Sequence, residues 1–331
     1  MFCSTQRTSV ITVYFNKAKS HVFTKETMMK NMILVAGGTG DLGGRIVREL
    51  LMKGADVRVL ARPGSSPAKI SELEKAGATV LTVNTANVID VTNACAGVSC
   101  VVSALAGLRE TVIDAQRVLL DAAVAAGVPR FIPSDYSIDF TKLPAGRNRN
   151  LDLRREFHTH LDKAPIAATT IFNGAFADMI TGQMPLVLFK INRVLFWGNA
   201  DQRMDFTTMD DTAAFTAHAA LDDSTPRFLR IAGDQISSRE LTAVVSDVTG
   251  DTYSLLRAGG LGFLSAMISV ARFVAPGEKE IYPAWQGMQY MRDMLDGRGK
   301  MPAVDNNRYP NLTWHTLKDV LTAFRADNTK P

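Results

Sequence analysis

The run ILVAGGTGDLGG at residues 33–44 constrains the fold more than any other part of the sequence. A continuous apolar segment, typical of a parallel strand buried on both faces, leads into a turn with five glycines within eight positions. GRIVRELLMKG follows with apolar residues at helical spacing and a stop at Gly54, and ADVRVLAR predicts a second strand. The stretch Met32 to Arg62 is therefore predicted to form one βαβ unit.

The glycine spacing in this turn is that of a dinucleotide-binding loop, although the same spacing also occurs in plain loops. Gly37 would permit the tight turn, Gly40 would let the backbone approach a pyrophosphate, and Gly43 would let the helix pack on the strand. The helix N-terminus adds unpaired N–H groups and a positive dipole end. The predicted phosphate-binding residues are Gly37, Thr39, Gly40, Asp41, Leu42 and Gly43.

The residue at the end of the second strand indicates which dinucleotide is preferred. An NAD site usually has Asp or Glu at this place, whereas this chain has Arg62. A guanidinium attracts the 2′-phosphate of NADP through charge-assisted hydrogen bonds. We therefore predict NADP(H) as the cofactor; the alternative is that Arg62 is a solvated charge at a strand end.

Strand and helix patterns continue to alternate after this unit. They predict an α/β fold, a Rossmann-type doubly wound parallel sheet with a smaller, irregular C-terminal substrate domain. The predicted boundaries are a leader at 1–30, an NADP-binding domain at 31–173, and a substrate domain at 174–331 with some strands returning to the main sheet. Because ligands bind at the carboxyl ends of parallel strands, Ser103, Ala104, Ser134 and Tyr136 are predicted to lie beside the cofactor.

The first 30 residues account for the formal net charge of +4. The rest of the chain is neutral, so no nucleic-acid partner is expected. The Ser/Thr-rich, basic leader is interpreted as a disordered extension or a misassigned start, with an organellar transit peptide as the lesser possibility. An odd count of three cysteines without CxxC spacing favours a reducing, cytoplasmic compartment and no metal site, and no segment is long and apolar enough for a membrane span.

Residues 258–305 are dense in Met and aromatic side chains. Such residues most often fill a core, but they also line adaptable pockets for flat apolar ligands. A lid over a small apolar or aromatic substrate is one interpretation of this stretch. The oligomeric state is not indicated by the sequence.

These motifs together resemble the NmrA-like and isoflavone reductase-like branch of the atypical short-chain dehydrogenases. The resemblance is carried by GGTGDLGG, VLAR, RFIPSDYSID, NGAF, IAGDQISSREL and YPNLTWHTL, and it covers roughly residues 32–255 and 305–325. It implies an NADP-binding Rossmann domain with a small substrate domain. Plant members reduce phenolic compounds with NADPH, whereas fungal members sense the dinucleotide and regulate a transcription factor.

The resemblance also implies a lysine on the helix after the fifth strand, where this chain has Arg154. Arginine can stabilise an oxyanion or bind a carboxylate, but it is a poor general acid. The YxxxK pair of ordinary short-chain dehydrogenases is absent as well. The candidate proton relays are His158, which lies one helical turn after Arg154, and Tyr136. The alternatives are that His158 is a surface residue or a hydrogen-bonded helix residue, and that Tyr136 only packs.

We therefore expect an NADPH-dependent reductase that transfers hydride to a small aromatic or conjugated carbonyl-type substrate, with Arg154, His158 and Tyr136 as catalytic candidates. The alternative hypothesis is a non-catalytic NADP(H)-sensing regulator of the NmrA type. The pocket-like composition of the C-terminal part favours the reductase.

Overall fold

The fold is built on a parallel sheet of six strands, as a computed structural model that describes residues 31–328 shows. The predicted leader at 1–30 lies outside the described residues. The strands are β1 (Met32–Ala36), β2 (Asp56–Ala61), β3 (Thr79–Thr82), β4 (Cys100–Ser103), β5 (Arg130–Ile132) and β6 (Ala167–Ala168). Their order, β3-β2-β1-β4-β5-β6, confirms the predicted Rossmann-type doubly wound sheet.

Helices cover both faces of this sheet because successive side chains of each strand point to opposite sides. In β1, Ile33 and Val35 pack on one face, and Leu34 and Ala36 pack on the other. The helices of the first half are α1 (Asp41–Met52), α2 (Pro67–Lys75), α3 (Val88–Ala94), α4 (Gln116–Ala125) and α5 (Arg149–Leu161). Both faces of β1 are therefore buried, as its continuous apolar sequence predicts.

The C-terminal part forms small sheets and further helices. Its strands are β7 (Thr170–Phe172), β8 (Ala175–Phe176), β9 (Val187–Leu188), β10 (Arg193–Trp197), β11 (Arg203–Thr207), β12 (Phe228–Arg230), β13 (Asp234–Ser237) and β14 (Ser254–Gly259). Its helices are α6 (Met209–Leu221), α7 (Ser238–Thr249), α8 (Leu261–Val274), α9 (Ala284–Leu295) and α10 (Leu317–Asn328). Strand β7 pairs with β12, β11 lies between β13 and β8, and β10 lies between β14 and β9.

Two segments differ from the sequence-based expectations. The apolar pattern of IAATTIF at residues 166–172 predicts one strand, but the segment is divided between two sheets, since β6 pairs with β5 whereas β7 pairs with β12. The amphipathic pattern of residues 109–127 predicts one long helix, but this segment begins with a π-helical turn at Glu110–Ala115 and becomes α-helical only at Gln116. Wide turns of this kind often occur near functional sites, and this one lies at the carboxyl edge of the sheet.

A buried polar clamp joins α9 to the start of α5. Asp293, which is fully buried, accepts hydrogen bonds from Arg147 Nε at 2.6 Å and from Asn148 Nδ2 at 3.2 Å. Gln286 Nε2 donates to Asn148 Oδ1 at 2.8 Å, and the Arg149 N–H donates to Gln289 Oε1 at 3.1 Å. Because a buried carboxylate is tolerated only when it is paired, this set of bonds fixes α9 against α5.

The Met-rich stretch divides into a buried and an exposed part. On α9, Trp285, Met291 and Met294 lie in the core, where Trp285 is only 2% exposed. On α8, by contrast, Phe263 and Phe273 point outward, and Phe273 is 89% exposed. The core-filling interpretation is thus confirmed for α9 and is wrong for the outer face of α8. Among residues 31–328, no helix is long and apolar enough to cross a membrane.

An aspartate and a histidine fix the segment before α10 to the start of α6. The His315 N–H donates to Asp211 Oδ2 at 2.8 Å, and His315 Nδ1 lies 2.7 Å from Asp211 Oδ1. The hydrogen bond and the charge of buried Asp211 raise the pKa of the His315 imidazole above its usual range.

We predict that this pair stabilises the fold in a pH-dependent way. A raised pKa in the folded state means that the stabilisation is fully present below about pH 6.5, the usual pKa of histidine, and is lost as the pH rises through the higher folded value. Melting temperatures of the wild type and of His315→Gln should therefore differ most at pH 5.5 to 6.5 and converge towards pH 9. A difference that stays constant over this range would contradict the prediction.

Candidate active site

The glycine turn between β1 and α1 is held in a conformation that side chains would prevent. Gly37 has φ of +85°, and a Cβ there would lie 2.6 Å from the Ala104 carbonyl oxygen. A Cβ on Gly43 would lie 2.1 Å from the Gly37 carbonyl oxygen, so α1 packs directly on the turn. The turn is closed by the Gly40 N–H, which donates to the Gly37 carbonyl at 2.9 Å. Gly37 and Gly43 thus have the steric roles that the sequence predicts for them.

The start of α1 has the properties of an anion-binding site. Gly40 is the N-cap residue, and no side chain caps the helix. The N–H groups of Asp41, Leu42 and Gly43 lie in the first turn, where an α-helix has no carbonyl partners to offer them. A pyrophosphate would provide those partners at the positive end of the helix dipole. The residues present therefore fit a dinucleotide phosphate.

A cleft of about 470 Å³ opens at this turn and follows the carboxyl ends of four strands. Its lining residues come from the glycine turn, from the ends of β2, β3 and β4, and from the helical segment after β4. They include Gly37, Thr39, Gly40, Arg62, Ser65, Thr85, Ala104, Leu105, Ala106, Glu110 and Thr111. The size of the cleft, its position at the strand ends and its mixture of polar and apolar lining residues suit an elongated ligand that carries both anionic and apolar groups.

Arg62 lies at the end of the cleft where an adenosine 2′-phosphate is expected. It is exposed and directly follows β2, and its N–H donates to Ser65 Oγ at 3.1 Å. The Ser65 N–H in turn donates to the Arg62 carbonyl at 3.0 Å, which closes a tight turn through Gly64. A cation and a hydroxyl thus line the same part of the cleft and suit a phosphate.

The other predicted cofactor residues lie at the ends of β4 and β5 and differ in their access to the cleft. Ala104 is a lining residue, whereas Ser103 is fully buried. The Ser134 hydroxyl donates to the Leu105 carbonyl at 2.6 Å, and its N–H donates to Gln116 Oε1 at 2.9 Å. Ser134 therefore supports the wall of the cleft from behind.

Arg154 is buried and held by backbone carbonyls. It is 8% exposed, its Nε donates to the Ser134 carbonyl at 3.2 Å, and its Nη1 donates to the Asn150 carbonyl at 3.0 Å. The alternative of a solvated charged face is wrong for this residue. These bonds hold the Arg154 guanidinium in a fixed position behind Ser134, and Arg154 is not among the residues that line the cleft.

His158 belongs to a buried polar network on the inner side of α5. Its Nε2 lies 2.6 Å from Asp135 Oδ2, and its Nδ1 lies 3.3 Å from Arg227 Nη2. Because an arginine nitrogen can only donate, the geometry assigns the imidazole proton to Nε2 and makes Nδ1 the acceptor. Thr170 Oγ1 also donates to Asp135 Oδ2, at 2.8 Å. Both nitrogens of His158 are thus engaged within the protein.

The buried Asp135 carboxyl stays ionised in this network. Burial disfavours its charge, but the interactions with His158 and Thr170 and the charge of Arg154 outweigh burial and lower the pKa of Asp135 below its usual range. The network therefore fixes the orientation of His158 on α5, the helix that also carries Arg154.

Tyr136 packs in the core, away from the cleft. Strand β5 ends at Ile132, and the Tyr136 ring lies in the cluster that includes Cys100, Ile171 and Phe215. Burial raises the pKa of its phenol well above the usual range. The placement of Tyr136 agrees with the packing alternative. Its part in proton transfer stays a prediction, and the buried position of the ring argues against it.

Sequence reasoning missed the wall formed by Leu105, Ala106, Glu110 and Thr111. The available signal was their position directly after β4, in the loop SALAGLRE that continues from Ser103 and Ala104. Within the described part of the chain, no group of three or more His, Cys, Asp or Glu residues could hold a metal ion. Cys95 and Cys100 are buried free thiols.

Comparison with known proteins gives one family and several related reductases. The profile of the NmrA-like family matches residues 29–263, which is more than half of the chain. Pinoresinol reductase 1 of Arabidopsis thaliana is 29% identical over 313 residues, covering 89% of this chain and 97% of that protein. A bifunctional pinoresinol-lariciresinol reductase of Linum perenne is 29% identical over 254 residues, covering 71% of this chain and 80% of that protein.

A solved structure supports the fold over almost the same range. AtPrR2 with NADP+ and (+)-pinoresinol superposes with a TM-score of 0.76 at 24% identity, covering 89% of this chain and 99% of that one. At this level of identity the likeness establishes the fold.

We predict that Gly43→Ala disrupts the turn and weakens dinucleotide binding. The new methyl group would displace α1 from the Gly37 carbonyl, and overpacking of this kind costs about 1–3 kcal/mol. Calorimetric titration with NADPH should show at least a tenfold weaker affinity, together with a lower melting temperature. The matched control is Gly287→Ala on α9, where a Cβ meets nothing within 4 Å. Equal affinities of the wild type and Gly43→Ala would contradict the assigned site.

Proposed function

The chain belongs to the NmrA-like family, and on this premise we propose that it is an NADPH-dependent reductase acting on a small aromatic or conjugated carbonyl-type substrate. Its relatives with 29% identity include a pinoresinol reductase and a pinoresinol-lariciresinol reductase, which act on aromatic compounds by name. The observation that carries the proposal is the cleft that the glycine turn, Arg62 and the apolar residues Leu105 and Ala106 line together.

The cofactor half of the proposal follows from what the residues of the cleft can bind. The N–H groups at the start of α1 would hold the pyrophosphate, and Arg62 with Ser65 would hold the 2′-phosphate. When bound, NADPH supplies the hydride for the reduction. No carboxylate stands at the end of β2 to favour a ribose 2′-hydroxyl instead, since Arg62 and Pro63 occupy that place.

Arg154 is proposed to polarise the substrate. Its two hydrogen bonds to backbone carbonyls hold the guanidinium in one orientation, so that its charge is preorganised before the substrate arrives. Preorganised charge in a site of low water content stabilises a developing oxyanion more than the same charge in water. His158, with both ring nitrogens engaged, is proposed to position α5 and thereby Arg154.

The apolar part of the lining supports an aromatic or conjugated substrate rather than a polar one. Leu105 and Ala106, from the loop after β4, provide this part. Apolar lining of this kind favours apolar and aromatic ligands. Two buried free thiols, Cys95 and Cys100, support a reducing compartment, and we propose the cytoplasm.

The second candidate function is a sensor that binds NADP(H) without turnover and passes the signal to a partner protein. The observation in its favour is the outer face of α8, where Phe263, Val270, Phe273 and Val274 are exposed together. The two functions differ in one measurable outcome, because only the reductase consumes NADPH.

We predict that Arg62→Ala weakens NADPH binding about 10- to 100-fold, as expected for the loss of a charge-assisted hydrogen bond of about 1.5–3 kcal/mol. NADH binding should change less than twofold, because NADH has no 2′-phosphate. Calorimetric titrations of the wild type and the variant with both dinucleotides measure the difference. The control is Arg48→Ala on the outer side of α1, where Arg48 lies 3.5 Å from Glu72.

We also predict turnover, measured as NADPH oxidation at 340 nm with pinoresinol, cinnamaldehyde and 1,4-naphthoquinone as probes. Acceleration by any of these acceptors supports the reductase. Tight NADPH binding without acceleration by any acceptor would favour the sensor and contradict the reductase.

A further inference from the structure

Two charged side chains line the cleft, Arg62 and Glu110, and a phosphate accounts for only one of them. Arg62 directly follows β2 and suits the 2′-phosphate, whereas Glu110 begins the π-helical turn after β4. A carboxylate can only accept hydrogen bonds, and its charge repels phosphates. Glu110 therefore suits a part of the ligand that is uncharged and carries a hydrogen-bond donor.

The π-helical turn explains why Glu110 reaches the cleft. In an unbroken α-helix, Glu110 and Ala115 would lie about 140° apart around the axis, because five positions rotate by about 500°. A π turn bonds residue i to residue i+5 and places the two residues one turn apart. Both line the cleft, together with Leu119 one turn further along α4.

Gln116 holds this turn in place. It is fully buried, its Nε2 donates to the Val112 carbonyl at 2.9 Å, and its Oε1 accepts from the Ser134 N–H at 2.9 Å. The side chain of Gln116 thus donates to the carbonyl that its own backbone N–H would reach in an α-helix. The same amide connects the π-helical turn to the segment after β5, so the backbone that carries Glu110 is fixed.

The carboxylate of Glu110 is available to a ligand. It is exposed, and it makes no hydrogen bond or close ion pair with any other residue in the range 31–328. The neighbouring cation, Arg109, is directed to α5 instead. Its Nη1 donates to Glu156 Oε1 at 2.7 Å and its Nη2 donates to Glu156 Oε2 at 2.5 Å, so both terminal nitrogens of this guanidinium are occupied.

The lining residues near Arg62 indicate which part of the dinucleotide Glu110 meets. The 2′-phosphate belongs to the adenosine ribose, so the adenine lies one sugar away from Arg62. Leu60 from β2, Val91 from α3 and Leu119 from α4 line the same cleft and belong to one apolar cluster. Adenine has two flat apolar faces and one donor, the 6-amino group at its edge. Apolar side chains and a single acceptor fit this base.

We propose that Glu110 accepts a hydrogen bond from the 6-amino group of the adenine and makes the site selective for an adenine dinucleotide. This inference rests on the proposed NADPH site and adds the base to the groups that the cleft recognises. An amine donates to the carboxylate, whereas the oxygen that hypoxanthine carries at the same position is an acceptor and would be repelled.

The test is calorimetric titration with NADP+ and with its hypoxanthine analogue, in which an oxygen replaces the 6-amino group. We expect the wild type to bind the analogue about tenfold more weakly, because a hydrogen bond to a charged group is lost. In Glu110→Ala, the affinity for NADP+ should fall about tenfold, and the two ligands should then differ less than about threefold. Removal of a negative charge beside an anionic ligand would by itself raise the affinity, so a fall indicates a lost contact.

Glu110→Gln separates recognition of the base from a structural effect. The glutamine amide can accept from the adenine amine and can also donate to the hypoxanthine oxygen. The hypoxanthine analogue should therefore bind Glu110→Gln more tightly than it binds the wild type. The matched control is Asp114→Asn, which removes a negative charge from an exposed position of the same turn that does not line the cleft. It should leave the preference for adenine unchanged.

A third ligand, adenosine 2′,5′-bisphosphate, locates the contact, because it is the adenosine half of NADP+ without the nicotinamide. Glu110→Ala should weaken its binding by the same factor as that of NADP+. An unchanged affinity for this fragment would overturn the inference, and so would equal affinities of the wild type for NADP+ and the hypoxanthine analogue. Both results would leave the NADPH site and the reductase intact. If the wild type binds none of the three ligands, the proposed function fails, and the inference fails with it.

Discussion

The close contact between Gly43 and the Gly37 carbonyl is the constraint on which the rest of the molecule depends. It places the first turn of α1 directly against the end of β1, so that the N–H groups of the helix open into the cleft. A side chain at Gly43 would move the helix outward, and the helix N-terminus would then be displaced from its position at the strand end. The position of the cleft at the glycine turn follows from this one approach of backbone to backbone.

The wall of the cleft at Leu105 is supported from behind by polar contacts that start at Ser134. Arg154 connects the Ser134 wall to Asn150, and the clamp around Asp293 fixes α9 to the same helix. These groups are largely buried, so each bond that is lost leaves an unpaired partner in a region of low dielectric constant. The arrangement therefore tolerates little change, which suits a site that must hold a charge in one orientation.

The sequence predicts the first half of this site well, because the relevant signals are local. Strand, glycine turn, helix and Arg62 follow one another within about thirty residues, and each has its own physical signature. The second half depends on contacts between distant segments. The bond between His158 and Asp135 and the clamp between Asn148 and Asp293 have no periodicity or spacing that a sequence could reveal. The sequence predicts Tyr136 beside the cofactor because it follows the end of β5, but its ring packs in the core with Cys100 and Phe215.

The divided strand at residues 167–172 has a consequence for how proteins with this fold can evolve. The N–H of Thr169 donates to Phe131 in the large sheet at 3.0 Å, and the next N–H, that of Thr170, donates to Arg227 in a small sheet at 2.8 Å. The chain thus passes from the large sheet to a small one within a single peptide unit and without a linker. Recombination that replaced the N-terminal or the C-terminal half with that of a relative would join the two chains at this point. The backbone on both sides of the junction is hydrogen-bonded in a sheet, so the exchange would disturb both sheets. Diversity in the substrates of such a fold is therefore expected to arise by point substitution around the cleft rather than by the exchange of whole halves.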